Sequence, residues 1–273
     1  MRLPEDLLLP SGNVNMNPTL PTAQYNSLKD KVVVVTGGAS GIGEAVVEAF
    51  ARQQARVVFL DIQDATAEKL VQRLERSGCA PPRYFHCDLT NIETLQEIMG
   101  EILASFPAVD TLVNNAGNDT RHDIEEVTSE YWDRCMQVNL KHQFFMAQAV
   151  LPGMRRAQRG AIINMSSIGW IIPSTRLPVY VTAKAAVIGM TRALAHDVGR
   201  EGIRVNAVLP GAVLTHRQRE LWFTEDYKKE ILNRQAIKRM ILPEEVAKLI
   251  LFLGSDESLA ITNQSFVIDG GWV

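Results

Sequence analysis

Tyr180 and Lys184 stand four residues apart, so on a helix both side chains share one face. A free phenol titrates near pH ~10 and is a poor base at neutrality. An ammonium beside it favours the phenolate and is expected to draw its pKa toward the working range. The spacing alone does not decide the matter, because Tyr25 and Lys29 repeat it where neither a helix nor a cleft is predicted. What sets the Tyr180 copy apart is its company. Ser166-Ser167 follows an apolar run, and a hydroxyl at a strand end can stabilise a developing oxyanion. Asn139 places an amide inside a long apolar helical pattern, as a site residue or as a polar residue that bends the helix.

A second group of residues suits a phosphate-bearing ligand. Thr36-Gly37-Gly38-Ala39-Ser40-Gly41-Ile42-Gly43 joins an apolar run to a helical pattern. Glycines there let the turn close and let backbone N–H groups approach a pyrophosphate at the helix N-terminus. The candidate contacts are Gly37, Ser40, Gly41, Ile42 and Gly43. Asp61 and Ile62 end the next apolar run. A carboxylate at that point accepts from both adenosine ribose hydroxyls and repels a 2′-phosphate, which favours NAD over NADP; a helix cap is the alternative. Asp88 and Leu89 end the third run, where Asp88 can accept from the adenine amino group or cap a helix. Asn114-Asn115-Ala116-Gly117 closes the fourth. Its small Ala116 and Gly117 permit close backbone approach, and Asn115 can tie strand ends together or face the cofactor. Pro210-Gly211 can floor a nicotinamide, with Val213 and Thr215 beside its amide.

These positions require a scaffold that gathers strand ends. Seven short, largely β-branched runs supply it: Val32–Thr36, Val57–Leu60, Tyr84–Cys87, Thr111–Val113, Ala161–Met165, Arg204–Leu209 and Ser265–Ile268. Runs that are apolar throughout suit parallel strands buried on both faces. Between them lie the helical patterns Gly43–Gln53, Ala65–Arg76, Ile92–Ser105, Trp132–Arg156, Val179–Gly199 and Glu244–Leu253. The alternation predicts an α/β fold, a doubly wound, parallel, seven-stranded Rossmann-type sheet flanked by helices. Ligands bind such sheets beyond the strand carboxyl ends, where every motif above falls.

The 273 residues suffice for one large α/β domain, with 46% hydrophobic and 22% charged residues. A net charge of −3, with both signs mixed along the chain, argues against a nucleic-acid partner. No apolar run is long enough to span a membrane. Cys79, Cys87 and Cys135 lack metal-ligand spacing, and no metal site is expected; they read as neutral or buried thiols. Residues 1–27, with Pro4, Pro10, Pro18 and Pro21, read as an extended or disordered leader without the pattern of a secretory signal. A cytoplasmic location is expected. The domain then occupies 28–273, with a lid over about 212–240.

Taken together, Thr36–Gly43, Asn114–Gly117, Asn139, Ser167, Tyr180 with Lys184, and Pro210-Gly211 resemble the short-chain dehydrogenase/reductase family. The resemblance implies an Asn139-Ser167-Tyr180-Lys184 tetrad and, as a rule, a homotetramer. Asn139 would organise a water in a proton relay from Lys184, and Ser167 and Tyr180 would hold the substrate oxygen. The spacing to Tyr180 in that family selects Ser167 over Ser166.

The substrate is read from three polar segments: Asn118-Asp119-Thr120-Arg121-His122, Ile168-Gly169-Trp170, and Thr215 to Thr224 with Arg217, Gln218 and Trp222. Their amide, charged and indole groups suit a sugar, whose hydroxyls take hydrogen bonds and whose C–H face packs on an aromatic ring. Each has a plainer role open to it: surface ion pairs for Arg121 and Arg217, a helix cap for Asp119, a loop hydrogen bond for His122, and lid packing for Trp170 and Trp222. These segments resemble those of the bacterial NAD-dependent D-xylose (aldose) 1-dehydrogenases within that family. The implied reaction is oxidation of a cyclic aldose at C1 to the lactone, with hydride passing to NAD. Other readings are a dehydrogenase of another secondary alcohol or of a 3-oxoacyl thioester, and a cofactor-binding regulator without catalysis.

Overall fold

The computed structural model describes residues 23–273. The strands are β1 (Val32–Thr36), β2 (Arg56–Asp61), β3 (Arg83–His86), β4 (Thr111–Asn114), β5 (Gly160–Met165), β6 (Ile203–Pro210) and β7 (Ser265–Ile268). All pair in parallel, in the order β3-β2-β1-β4-β5-β6-β7. The order reverses between β1 and β4, and the crevice at such a reversal is where a ligand binds.

The central strands β1, β2, β4, β5 and β6 are buried because both faces of the sheet are covered there, while the edge strands β3 and β7 are partly exposed. Alternate residues of β1 serve opposite layers, as a period of two requires. Val33 and Val35 meet α1 (Gly41–Arg52) and α9 (Pro243–Gly254) through Val46, Phe50, Ile250 and Leu251. Val32 and Val34 belong to the other layer, with Met99 of α3 (Ile92–Ser105), Met146 of α5 (His142–Ala157) and Val198 of α6 (Pro178–Val198). The edge helix α2 (Asp64–Arg76) adds Leu70 and Leu74 to the first layer. Each fully buried large apolar side chain contributes about 1.5–3 kcal/mol.

The structure adds to the sequence pattern at three places. The single helix over 132–156 is two, α4 (Ser129–Met136) and α5, joined by one π-helical turn, Gln137–Lys141. An i→i+5 turn is invisible to an apolar period of 3.6 and is a common mark of functional sites. The lid carries two helices that no apolar pattern foretold: α7 (His216–Leu221), capped by Thr215 through Gln218 N, and α8 (Glu225–Arg234), capped by Thr224 through Tyr227 N. A bridge between Val213 and Ile241 closes the lid's base, and Phe223 and Ile231 are buried beneath it. The domain also begins before residue 28. Tyr25 N donates to Gln53 Oε1 (2.9 Å), Gln53 Nε2 to the Ala23 carbonyl (2.9 Å), and Leu28 is in the core. The rest of the expected leader, residues 1–22, lies outside the described residues.

Cys87 and Cys135 are buried, Cys79 is half-buried, and all three are free thiols. Burial pushes the Cys87 thiol up to about 11, so it is neutral. Among the described residues no helix is long and apolar enough to cross a membrane, and no group of His, Cys, Asp or Glu is placed to hold a metal.

Candidate active site

A cleft of about 1130 Å³ opens along the carboxyl ends of the strands. At its near end lies the glycine turn, with Gly37, Ser40, Gly41 and Ile42 in the wall. Gly43 is not in the wall. It packs beneath the turn, where a Cβ would overlap the Gly37 carbonyl oxygen, so its glycine serves closure of the turn. Asn115 fastens the two strand ends at the reversal: its Nδ2 donates to the carbonyls of Thr36 and Gly37, both at 3.0 Å. Thr36 Oγ1 answers by accepting from the N–H groups of Asn115 and Ala116 at 3.0 and 3.1 Å. These bonds make Asn115 a tie between strand ends, and it also lines the cleft.

Asp61 is buried and lines the same end. Its Oδ2 accepts from Ala39 N (2.9 Å) inside the glycine turn, and its Oδ1 accepts from Ile62 N (2.8 Å) and Gln63 N (3.1 Å). It does not cap α2, whose N-cap is Gln63. The carboxylate therefore shapes the turn and also faces the cleft with lone pairs to spare. Ile62, Asp88 and Leu89 continue this wall. Asp88 Oδ1 accepts from Thr90 N and Thr90 Oγ1 in a local turn, while Asn91 caps α3. The side chains around Asp61 in this wall are Ser40, Glu44, Ile62, Gln63 and Thr66, with no cation among them.

Further along, Ala116, Gly117, Pro210, Gly211, Val213 and Thr215 line the cleft. Gly117 is the pinch point: a Cβ there would stand 3.1 Å from Asn139 Oδ1 and 3.2 Å from Lys184 Nζ. Asn139 sits in the π-turn, fully buried and behind the wall. Its Oδ1 accepts from Asn118 N (2.9 Å), and its Nδ2 donates to the carbonyls of Asn118 (3.0 Å) and Cys135 (3.0 Å). The extra residue of the turn thus lets this amide clamp the loop after β4. Gln143, which the sequence reading missed, braces the turn from within by donating to the carbonyls of Asn139 (3.2 Å) and Met165 (3.4 Å).

Lys184 is buried on α6 and donates to the Met165 carbonyl at 3.0 Å; its Nζ lies 5.6 Å from the Tyr180 ring centroid. Ser166 Oγ donates to the Lys184 carbonyl (2.7 Å), fastening β5 to α6, whereas Ser167 caps the following turn through Gly169 N and faces the cleft. Burial depresses the Lys184 ammonium to about 8, against a partial restoring pull from the negative charge of Asp119. The expected lowering of the Tyr180 phenol is corrected. Burial, then the Asp119 carboxylate, hold it above the ordinary phenol value, with the Ser167 hydroxyl pulling the other way. One cause drives both shifts, because loss of solvent disfavours whichever form is charged.

Of the expected substrate residues, Asn118, Asp119, Arg121, Ser167, Tyr180, Arg217 and Gln218 line the far end. Arg217 donates to Asn118 Oδ1 (3.1 Å) and Thr120 Oγ1 (3.2 Å), and Gln218 Nε2 to Asp119 Oδ2 (2.5 Å). Three residues fall outside this wall. His122 is buried against Tyr131, whose hydroxyl meets its Nδ1 at 2.7 Å. Trp222 lies under the Arg121 guanidinium, 4.8 Å from it, so its ring is spent on lid packing. Trp170 is 37% exposed at the end of a short turn that directs it out of the cleft. Ile172, Leu177, Tyr227 and Trp272, which no sequence motif marks, also line the far end.

The glycine turn at a sheet reversal, and the Tyr180–Lys184 pair facing the same cleft, define a Rossmann-type oxidoreductase. A family model described as enoyl-(acyl carrier protein) reductase matches residues 37–273, and the chain belongs to the short-chain dehydrogenase/reductase family. Members of that family use nicotinamide cofactors. The chain is 47% identical to a D-xylose 1-dehydrogenase of Caulobacter vibrioides, over 93% of this chain and 100% of that one. It is 46% identical to a Rhizobium meliloti protein named "Probable galactose dehydrogenase GalD", over 93% and 99%. Among solved structures it is similar to a 3-oxoacyl-[acyl-carrier protein] reductase of Brucella melitensis, with TM-score 0.83, 32% identity, and coverage of 91% and 94%.

Proposed function

We propose that this enzyme oxidises a cyclic aldose at C1 to the lactone, with NAD as the hydride acceptor. The observation that carries the reading is the convergence of Asp119, Arg217 and Gln218 on the cleft end that holds Tyr180 and Ser167. Carboxylate, guanidinium and amide together can pair several adjacent hydroxyls, which an acyl chain does not offer. The sugar dehydrogenases among the relatives support the same substrate class.

The glycine turn, with its free approach to backbone N–H groups, fits a dinucleotide pyrophosphate, and Asp61 fits the adenosine ribose. The cation-free wall around Asp61 favours NAD, since a 2′-phosphate there would meet a carboxylate and no guanidinium or ammonium. Bound NAD supplies the hydride acceptor. Tyr180 Oη, as the phenolate that fills on the alkaline side, takes the proton of the anomeric hydroxyl, Ser167 Oγ holds the same oxygen, and Lys184 supplies positive charge beside the phenol. Asn139 holds the loop of residues 117–118 against Lys184 and orders the relay that returns the proton to solvent. Free thiols and the family's habit support a cytoplasmic homotetramer, which light scattering would test.

A panel of aldoses with NAD and with NADP, followed by reduced-cofactor absorbance, tests the reading. Turnover of pentoses or hexoses with NAD is expected. Turnover confined to acyclic alcohols or acyl thioesters would replace it.

A further inference from the structure

The chain does not end at β7. Two left-handed residues, Gly270 and Gly271 at φ 69° and 78°, turn it back toward the cleft, a conformation that other residues adopt only at a cost. Asp269, which is buried, fixes the turn: its Oδ1 accepts from Gly271 N (2.8 Å) and its Oδ2 from Val273 N (2.9 Å). The carboxylate thus grips the backbone on both sides of Trp272. From the lid side, Ala236 N donates to the Gly271 carbonyl (3.1 Å) and Ile237 N to the Gly270 carbonyl (2.8 Å). Held by these bonds, Trp272 packs against Ile168 and Leu209 and enters the cleft wall with Ile172 and Leu177.

Resting on the aldose reading, we propose that Trp272 is a specificity-determining residue whose indole is the apolar wall for the C–H face of a ring sugar. The far end of the cleft is two-sided. Asp119, Arg217 and Gln218 present hydrogen-bonding groups, and Ile168, Ile172 and Trp272 present carbon. A pyranose or furanose is two-sided in the same sense, with C–H groups that pack on an aromatic face and hydroxyls that seek polar partners. The two tryptophans nearer in sequence to the tetrad, Trp170 and Trp222, are outside this wall, which leaves the indole after the Gly270-Gly271 turn to do the packing. The grip of Asp269 fixes its backbone and the packing against the Ile168 and Leu209 cluster holds its ring, so little conformational entropy is lost on binding.

The experiment compares steady-state kinetics of the full-length wild type with W272A, W272L and W272F on the best aldose of the panel. W272A is expected to raise the aldose KM roughly tenfold with kcat within about threefold, because loss of an aromatic face weakens ground and transition states alike. The KM for NAD stays unchanged. W272F recovers most of the loss, and W272L, which refills the wall without a ring, does not; W272L also serves if W272A melts too low to assay. An aldose KM within twofold of wild type in W272A and W272L overturns the proposal. So does a rise in the NAD KM equal to that for the aldose, which would make Trp272 part of the cofactor floor. Absence of any aldose turnover by the wild type overturns the functional reading itself, and this inference with it, an outcome distinct from the other two.

Discussion

Gln218 Nε2 donates to Asp119 Oδ2 at 2.5 Å, joining the first lid helix to the loop after β4. The same carboxylate is the second cause, after burial, that holds the Tyr180 phenol high. Removing its charge favours the phenolate. Oxidation is expected to speed up on the alkaline side as the phenolate fills, and D119N to move that rise toward lower pH, by less than about one unit, because burial remains. Profiles of kcat against pH at saturating substrate check this, and a midpoint that stays in place would detach Asp119 from the phenol.

Y180F removes the acidic hydroxyl and leaves the ring. Turnover is expected to fall by about 10²–10⁴ or more, the range that a positioned acid–base group supplies. Cofactor binding, read by NADH fluorescence, is expected to persist. Retained turnover would take Tyr180 out of its role.

Lys184 costs stability where it gives function, since its folded value of about 8 lies below the ordinary 10.5. The unfolded chain keeps the proton that the folded chain has lost between those values. Wild-type stability therefore gains with pH across that window, relative to a variant without the group. K184M is expected to be inactive yet more stable by about 1–3 kcal/mol below pH 8, a melting rise of several degrees that shrinks toward pH 10.5. Thermal melts of both proteins at pH 7 and pH 10 measure it.

Asp61 has two tasks, so D61A should show two losses. The NAD preference over NADP is expected to relax, and the melting temperature to fall by the equivalent of about 1–3 kcal/mol, since Ala39 N loses its buried acceptor. An unchanged NAD/NADP ratio with a lowered melt would leave only the turn-holding task.

The central strands were legible because runs buried on both faces carry one signal from end to end, as in Val32–Thr36; the partly exposed edge strand Ser265–Ile268 was legible from its short β-branched and aromatic run. The glycine turn was legible because its residues are contiguous between a strand and a helix, whereas Tyr180 and Lys184 needed the company of distant Asn139 and Ser167, which the family resemblance supplied. The π-turn at Gln137–Lys141 was not, since one additional residue per turn leaves the apolar period nearly intact. The lid helices escaped for another reason. Their caps, Thr215 and Thr224, were readable, but few of their residues are buried, so no apolar stripe announced them. Which indole faces the cleft was the hardest question. Trp170, Trp222 and Trp272 are chemically equal, and only long-range packing separates them.

The hook after β7 bears on the cleft wall. Val273 follows directly on a residue of the cleft wall, and its N–H is held by Asp269. Any further residues carried there would emerge beside the cleft wall and load the bonds that place Trp272. The shape of the cleft wall is thereby coupled to whatever load the backbone at Val273 carries.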